Sequence, residues 1–244
     1  TLGGSAEVSG QDHLGTGWGS SCPPLSADQP GIRGSDLSIR TNGSNCGGSP
    51  PACVSGDPPV QEDSTVTDST FRQFGSTSFD ELADAADITI SGTVNGLAPD
   101  TLAVPSGSPV GTRGRCNYAD ATNWGEPDGS THYDQCFNYF PIIYASGSVR
   151  ISGGRGQGIL LVRGDLDMSG GVEFYGPVVV LGNLTSTGTG GHIYGGVMAE
   201  NADLDPTVIT GNSVVNYSAC AVSRALAGAA SIKPLSERSW AALY

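Results

Sequence analysis

Short apolar runs recur along the last hundred residues of the chain, each bounded by glycine, asparagine or aspartate. Pro141–Ala145 is followed by Gly158–Val162, Pro177–Leu181 and Gly196–Glu200, at spacings of 17, 19 and 19 residues. Apolar runs at a nearly fixed period are typical of a parallel β-solenoid, because each coil buries its apolar face only against the next coil. The pattern predicts a mainly β chain with a short parallel β-solenoid of about four coils over residues 141–217.

The same alignment predicts which side chains stack inside the coils. The expected core comprises Ile142, Ile159, Val178, Val197, Leu161, Val180, Leu166, Leu184 and Leu204. Alternation along each strand places Ile143 and Val179 on the opposite face, with Glu200 in the outer column. Because that face is also apolar, another element must cover it. The Ala-rich C-terminal helix is one candidate, and a neighbouring subunit is the other.

The segments outside the coils are expected to belong to the same single domain. Residues 1–12 carry coil-like phrases and are predicted to join the solenoid as a strand, within their own chain or in the next one. Residues 13–140 are predicted to form an irregular, disulfide-stapled region, since loops of this length are usually functional or covalently tied. Residues 218–244 are predicted to form C-terminal helices at 218–230 and 234–243.

Two local patterns interrupt the irregular region. Ser78 and Glu81 form the S-x-x-E pattern of a capping box, which predicts a helix near residues 79–87. The run Ile88–Val94 is rich in β-branched residues and predicts one short strand.

The charge balance of the chain is strongly acidic. Its 11 Lys and Arg face 24 Asp and Glu, which gives a net charge of −13. Nucleic-acid binding is not expected, because it needs clustered cations against phosphate groups. The acidic excess fits a chain that stays soluble in an extracellular medium. No apolar run is long enough to predict a membrane-spanning helix.

Six cysteines occur, at Cys22, Cys46, Cys53, Cys116, Cys136 and Cys220. None is spaced like a pair of zinc ligands, so no metal and no other cofactor is expected. An even count in such a chain predicts three disulfides and an oxidising compartment. Proximity favours Cys116–Cys136, Cys46–Cys53 and Cys22–Cys220, although the sequence leaves other pairings open.

Candidate catalytic residues are few. The histidines are scattered, and the chain contains neither Gly-x-Ser-x-Gly nor His-Glu-x-x-His. Asp165 and Asp167, with Arg163 close by, form the most enzyme-like group, as paired carboxylates would in a β-helix carbohydrate-active enzyme. Turn capping explains these residues more simply, and no enzymatic activity is expected.

An aromatic-rich loop precedes the coils. Its rings are Tyr118, Trp124, Tyr133, Phe137 and Tyr139. Aromatic side chains combine a large apolar surface with a polar handle, so this loop is a candidate surface for glycans. An adhesin-like glycan-binding module is therefore an alternative function.

Several phrases resemble the soluble C-terminal regions of PilX-type pilus-assembly proteins, which are bacterial surface proteins of the type IV pilus system. The phrases lie within residues 8–22, 68–83, 123–147, 156–184, 188–204 and 237–244. The resemblance implies an extracellular structural subunit of a filament or pilus-associated structure, with itself or other pilus components as partners. The sequence does not contain the apolar N-terminal helix that packs pilin-like proteins, so we expect either that this helix was cleaved or that the chain assembles differently.

Overall fold

The chain folds mainly into β-strands, and most of them belong to one curled parallel sheet. A computed structural model describes residues 1–15, 18, 22, 26–42, 44–131, 133–186, 188–200, 208–209 and 211–229. The strands are β1 (Leu2–Gly3), β2 (Glu7–Ser9), β3 (Ile32–Gly34), β4 (Thr41–Asn42), β5 (Val54–Ser55), β6 (Val60–Glu62), β7 (Gln73–Phe74), β8 (Thr77–Ser78), β9 (Ile88–Leu97), β10 (Ile142–Gln157), β11 (Ile159–Val162), β12 (Leu166–Ser169), β13 (Val172–Val180), β14 (Leu184–Ser186), β15 (Gly191–Ala199), β16 (Val208–Ile209) and β17 (Val214–Tyr217). The helices are α1 (Asp68–Arg72), α2 (Phe79–Asp84) and α3 (Ala219–Ala229).

The strand order of the curled sheet brings the sequence repeats side by side. Among the described residues the order is β4-β1-β16-β14-β12-β10-β11-β13-β15-β17-β2-β5, with β9 on the free side of β10. The long strand β10 pairs with β9 on one side and with β11, β12 and β13 in succession on the other. All of these pairs are parallel, so each repeat lies against the one before it.

The N-terminal strands complete the far side of the sheet. Leu2 of β1 lies opposite Ile209, and Val8 of β2 lies opposite Val215. The strands β4 and β5 then follow β1 and β2. Residues 1–12 therefore join the sheet as strands of their own chain. The sheet runs from β9, here called the β9 end, to β4 and β5, here called the β5 end.

The register between two repeats differs by one residue from the alignment of the apolar runs. Val178 pairs with Leu160 and not with Ile159. The reason is a glycine column, because a Cβ at Gly176 would overlap the carbonyl oxygen of Gly158. The two glycines must lie opposite each other, and the apolar residues that follow them are aligned accordingly.

The shifted register decides which predicted core residues lie inside the curl. The inner cluster comprises Ile88, Ile90, Leu97, Trp124, Ile143, Ala145, Val149, Ile151, Leu160, Val162, Leu166, Met168, Val172, Phe174, Val178, Val180, Leu184 and Ile193, with Val197 packed against it. Val178, Val197, Val180, Leu166 and Leu184 therefore lie where the sequence placed them. The predicted inner position is wrong for Ile142, Ile159 and Leu161, which lie on the outer face. Leu204 lies outside the described residues.

Helices of the same chain cover the outer face of the sheet. Ala225 of α3 and Phe79 of α2 pack in one buried cluster with Leu161. The carboxylate of Glu200 forms an ion pair with Arg72 of α1 at 2.9 Å. The C-terminal helix is therefore a cover of this face, as one of the two sequence alternatives required.

The helix α2 begins with the predicted capping box. Ser78 Oγ accepts the Glu81 N–H at 3.2 Å, and the Glu81 carboxylate accepts the Ser78 N–H at 2.7 Å. The helix ends at Asp84, earlier than predicted, because Asp87 already bonds to β10, where its N–H donates to the carbonyl of Ile142 at 2.8 Å. The Asp87 carboxylate accepts the N–H of Ile142 at 2.9 Å.

Three disulfides brace the fold, one over 198 positions of the chain and two over 20 and 7 positions. The structure pairs Cys22 with Cys220, Cys46 with Cys53 and Cys116 with Cys136, which is the pairing that proximity favoured. The region 13–140 is not irregular throughout, since it contributes the short strands β3 to β8 and the ten-residue strand β9. The helix predicted at 234–243 lies outside the described residues.

Candidate functional site

The predicted aromatic surface does not exist as one surface. Trp124 is fully buried in the inner cluster, edge-on to Phe174 at 6.1 Å between ring centroids. Phe137 is half-buried and lies 4.0 Å from the guanidinium of Arg224. Tyr133 and Tyr139 are also half-buried, and Tyr118, which is 64% exposed, is the exposed member of the set.

The Arg224 guanidinium explains much of this burial. It lies over the rings of Trp18 and Phe140 as well as Phe137, with 4.5 and 4.8 Å to the first two centroids. Burial lowers the pKa of Arg224 to about 10. The arginine therefore holds α3 onto the aromatic loop, a role that no sequence pattern indicated.

The enzyme-like group Arg163, Asp165 and Asp167 does not converge. Arg163 turns outward, where its Nε donates to the hydroxyl of Tyr144 at 3.0 Å and its terminal nitrogen bonds Asp80 of α2. Asp165 accepts the backbone N–H of Asn183 at 2.8 Å, so it caps a turn between two repeats.

Asp167 forms an ion pair on the surface of the sheet. Its carboxylate lies 3.5 Å from Arg150 on the neighbouring strand. Exposed pairs of this kind contribute little to stability. The interpretation of these carboxylates as turn caps and surface partners therefore fits their geometry.

The buried polar groups of the aromatic loop are also engaged in structure. Glu126 is fully buried. Its carboxylate forms an ion pair with Arg155 at 3.0 Å and accepts a hydrogen bond from the hydroxyl of Thr131 at 2.9 Å. Gln157 is fully buried too, and its Nε2 donates to the carbonyls of Phe137 and Tyr139, both at 2.9 Å. These groups fasten the loop to β10.

The described part of the chain offers neither a metal-binding cluster nor a membrane-spanning helix. No group of three or more His, Cys, Asp or Glu side chains there could hold a metal ion. No helix there is long and apolar enough to cross a membrane.

The β9 end presents an open strand edge. Over the described residues, β9 pairs with β10 and with no other strand. Its ten residues, Ile-Thr-Ile-Ser-Gly-Thr-Val-Asn-Gly-Leu, contain no charge and no proline. Ile88 and Ile90 point into the inner cluster, whereas Thr89, Ser91 and Thr93 are exposed. The outward edge of this strand is therefore long, neutral and accessible.

The β5 end is closed by its own chain. The strands there have two residues each, and the Val54 N–H donates to the carbonyl of Pro51 at 3.0 Å. The adjacent Cys46–Cys53 disulfide staples this turn. Gly31 packs so closely that a Cβ there would overlap the carbonyl oxygen of Ser55. The two ends of the sheet thus differ in length and in access.

A projecting segment follows β9 in the chain. This segment, here called the arm, is Thr101–Cys116. Its base is closed by a bridge between Thr101 and Cys116, and by the Leu102 N–H donating to the carbonyl of Arg115 at 2.8 Å. Most residues between these points are exposed. The Cys116–Cys136 disulfide ties the base to the aromatic loop.

An open groove lies at the base of the arm. It has a volume of about 570 Å³ and is lined by Leu102, Arg115, Cys116, Asn117, Tyr118, Ala119 and Gln135. The ring of Tyr118 stands at its wall, edge-on to Tyr139 at 4.7 Å between centroids. The β9 edge, the arm and this groove form the candidate functional surface.

The comparisons with known proteins leave the family of this chain open, so its function has to be argued from the geometry above. No family model, no curated protein and no solved structure matches the chain.

Proposed function

We propose that this chain is a structural subunit of an extracellular filament or pilus-associated surface structure, in which copies meet at the β9 end. In this proposal the curled sheet is a short β-solenoid, with about four coils over residues 141–217 and with β9 and the N-terminal strands stacked on its two ends. The observation that carries the proposal is the open, uncharged, ten-residue edge of β9.

An open edge is an unusual feature for a protein that stays monomeric. Edge strands offer unpaired N–H and C=O groups, and monomeric proteins guard them with short length, charge, proline or a covering loop. The β5 end has such guards, in its two-residue strands and its adjoining prolines. The strand β9 has none of these guards in its sequence, which supports strand addition from a partner.

The chemistry of the remaining groups supports a structural rather than a catalytic role. The candidate carboxylates Asp165 and Asp167 bond to neighbouring strands, and the buried Glu126 is paired with Arg155. General acid–base catalysis needs a carboxylate that can reach a reacting atom of the substrate, whereas these carboxylates bond to their own chain. We therefore propose no enzymatic activity for this chain.

The three disulfides support the extracellular part of the proposal. Disulfides form and persist in oxidising compartments and are rare in the cytosol. The Cys22–Cys220 bridge joins residues 198 positions apart, so the mature fold depends on oxidation. The resemblance to PilX-type proteins points to the same location.

A charge placed on the open edge tests the proposal. Thr89→Asp adds a negative charge to β9 at an exposed position, and Asn138→Asp adds the same charge at an exposed position on the aromatic loop. We expect electron microscopy to show polymers of the wild-type chain and of Asn138→Asp, and few or none of Thr89→Asp. A wild-type chain that stays monomeric at high concentration would overturn the proposal.

Glycan binding is a second candidate function, and the exposed ring of Tyr118 beside the groove is the observation that favours it. Ligand sites typically combine an apolar wall with a few polar groups, here Arg115 and Gln135. Binding of surface oligosaccharides that is measured by calorimetry and is abolished in Tyr118→Ala would support it. A monomeric chain with such binding would make it the preferred function.

A further inference from the structure

We infer that the arm, Thr101–Cys116, is a docking element that binds the acidic surface of a second copy of this chain. The inference rests on the proposed function and goes beyond it, because it assigns a second contact next to the β9 edge and names the side chains that make it.

Exposed apolar side chains are concentrated on the arm and at its base. Of the six large hydrophobic side chains that are exposed in the described part of the chain, four lie at Leu102, Val104, Val110 and Tyr118. Leu102 is 45% exposed, and Val110 is fully exposed at the tip of the arm. Single exposed apolar residues need no explanation, but a group of them marks an interaction site.

The charge of the arm is opposite to that of the rest of the chain. The arm contains Arg113 and Arg115 and no Asp or Glu. Arg113 forms an ion pair with Asp134 of its own chain at 2.6 Å, so Arg115 is the arginine proposed to meet the partner. The whole chain has a net charge of −13 and the arm has +2, so the rest of the chain carries −15. A second copy therefore offers the arm a surface of opposite sign. Such complementarity speeds association and fixes the register of the complex.

The composition of the arm favours a protein partner over a polyanion. Protein interfaces are enriched in aromatic residues and arginine around an apolar centre, which matches the exposed Tyr118, Val104 and Val110 together with Arg115. Two arginines among apolar side chains are too few for the phosphate neutralisation that nucleic-acid binding requires.

Hydrogen-bonded turns and a disulfide hold the arm in shape. Two turns shape it, in which the Ser108 N–H donates to the carbonyl of Pro105 at 3.2 Å and the Thr112 N–H donates to that of Pro109 at 3.1 Å. The Cys116–Cys136 disulfide fixes its base. A pre-shaped element loses less conformational entropy on binding, so its apolar contacts contribute more to affinity.

The position of the arm makes the contact asymmetric. The arm follows β9 in the chain, and the negative charge proposed to attract it belongs to the rest of the partner, outside the partner's own arm. A contact between two different surfaces generates rings or open fibres rather than closed dimers. The arm contact therefore reinforces the filament that the β9 edge was proposed to start.

Removal of the exposed valines tests the inference. We expect Val104→Ser/Val110→Ser to weaken self-association at least about tenfold in sedimentation velocity, since burial of apolar side chains in the contact drives association. Leu226→Ser is the matched control, because Leu226 is 54% exposed on α3, away from the arm. Its association should stay within about twofold of wild type. Arg115→Glu should weaken association most at low ionic strength, where charges are least screened.

The outcomes separate the inference from the proposed function. If the valine variant associates like wild type while Thr89→Asp does not, the arm inference is overturned and the β9 contact stands. If the wild-type chain does not associate at all, both fall. If the valine variant loses glycan binding but keeps self-association, the arm is a glycan site and not a contact between copies. Photocrosslinking from position 110 in mixed ¹⁴N and ¹⁵N chains should give crosslinks between chains, and crosslinks within one chain alone would also overturn the inference.

Discussion

Gly158 and Gly176 lie opposite each other on neighbouring turns of the sheet, so close that a Cβ at Gly176 would overlap the carbonyl oxygen of Gly158. Gly176 also has a φ of 142°, which side chains rarely adopt. Gly195 continues the column, because a Cβ there would overlap the carbonyl of Gly176 in turn. This column sets the register in which the repeats stack.

Substitution in the glycine column should therefore be costly. We expect Gly176→Ala to lower the free energy of unfolding by about 3 kcal/mol, from steric overlap and a strained backbone. Gly196→Ala is the matched control, because no atom lies within 4 Å of a Cβ at that position. Urea denaturation of both variants checks this, and equal stabilities would show that the column does not fix the register.

The shifted register predicts that Leu160, and not its neighbour Leu161, packs inside the curl. Leu160 is fully buried in the inner cluster, so Leu160→Ala should cost about 2–5 kcal/mol by leaving a cavity. Val178→Asp, opposite it, should prevent stable folding, because an unpaired charge would enter the core. Thermal unfolding followed by circular dichroism measures both. A tolerated Val178→Asp would contradict the inner position of this column.

These positions also show what the sequence could and could not predict. The repeat period, the capping box at Ser78 and the strand at β9 were readable because each rests on local spacing. The register could not be read from the apolar runs alone, because an alignment that starts the third run at Pro177 ignores Gly176 before it. A signal existed in the sequence, as Gly158, Gly176 and Gly195 each precede an apolar run.

The prediction of an exposed aromatic loop was wrong for a different reason. An aromatic-rich loop looks the same in sequence whether its rings face solvent or the core, and Trp124 is buried because the loop folds back onto β10 through Gln157 and Glu126. That fold-back depends on long-range contacts. The arm was likewise invisible, because its exposure follows from the bridge between Thr101 and Cys116.

The disulfides predict a redox-dependent stability. Thiol titration of the unfolded, unreduced chain should detect no free thiol, because all six cysteines are paired. Replacing Cys22 and Cys220 by Ser should cost about 2–4 kcal/mol and loosen α3 from the N-terminal part of the chain around Cys22. Limited proteolysis of this variant should cut near α3 before it cuts the sheet. Cleavage of the sheet first would contradict this order.

Buried tyrosines predict a loss of stability at alkaline pH. Burial raises the pKa of Tyr139 to about 12, and burial also raises the pKa of Tyr175 and Tyr194, whose rings stack at 4.7 Å. A raised pKa means that the folded state holds its proton after the unfolded state has lost it.

The stability that these tyrosines provide is complete below pH ~10, the ordinary tyrosine value, and is lost as the pH rises toward the folded values. Urea denaturation at a series of alkaline pH values measures how the free energy of unfolding falls as these tyrosines ionise. Tyr139→Phe should show a smaller decline than wild type, and an unchanged decline would exclude Tyr139 as a contributor.

Hydrogen exchange of the β9 amides, measured by mass spectrometry at low and high protein concentration, tests the central claim most directly. The amides of Ile88–Leu97 that face outward have no strand partner within the described chain, so they should exchange quickly in dilute solution. We predict that peptides covering β9 gain protection as the protein self-associates, and that Thr89→Asp abolishes this gain. Self-association without any added protection at β9 would contradict the proposed assembly through this edge.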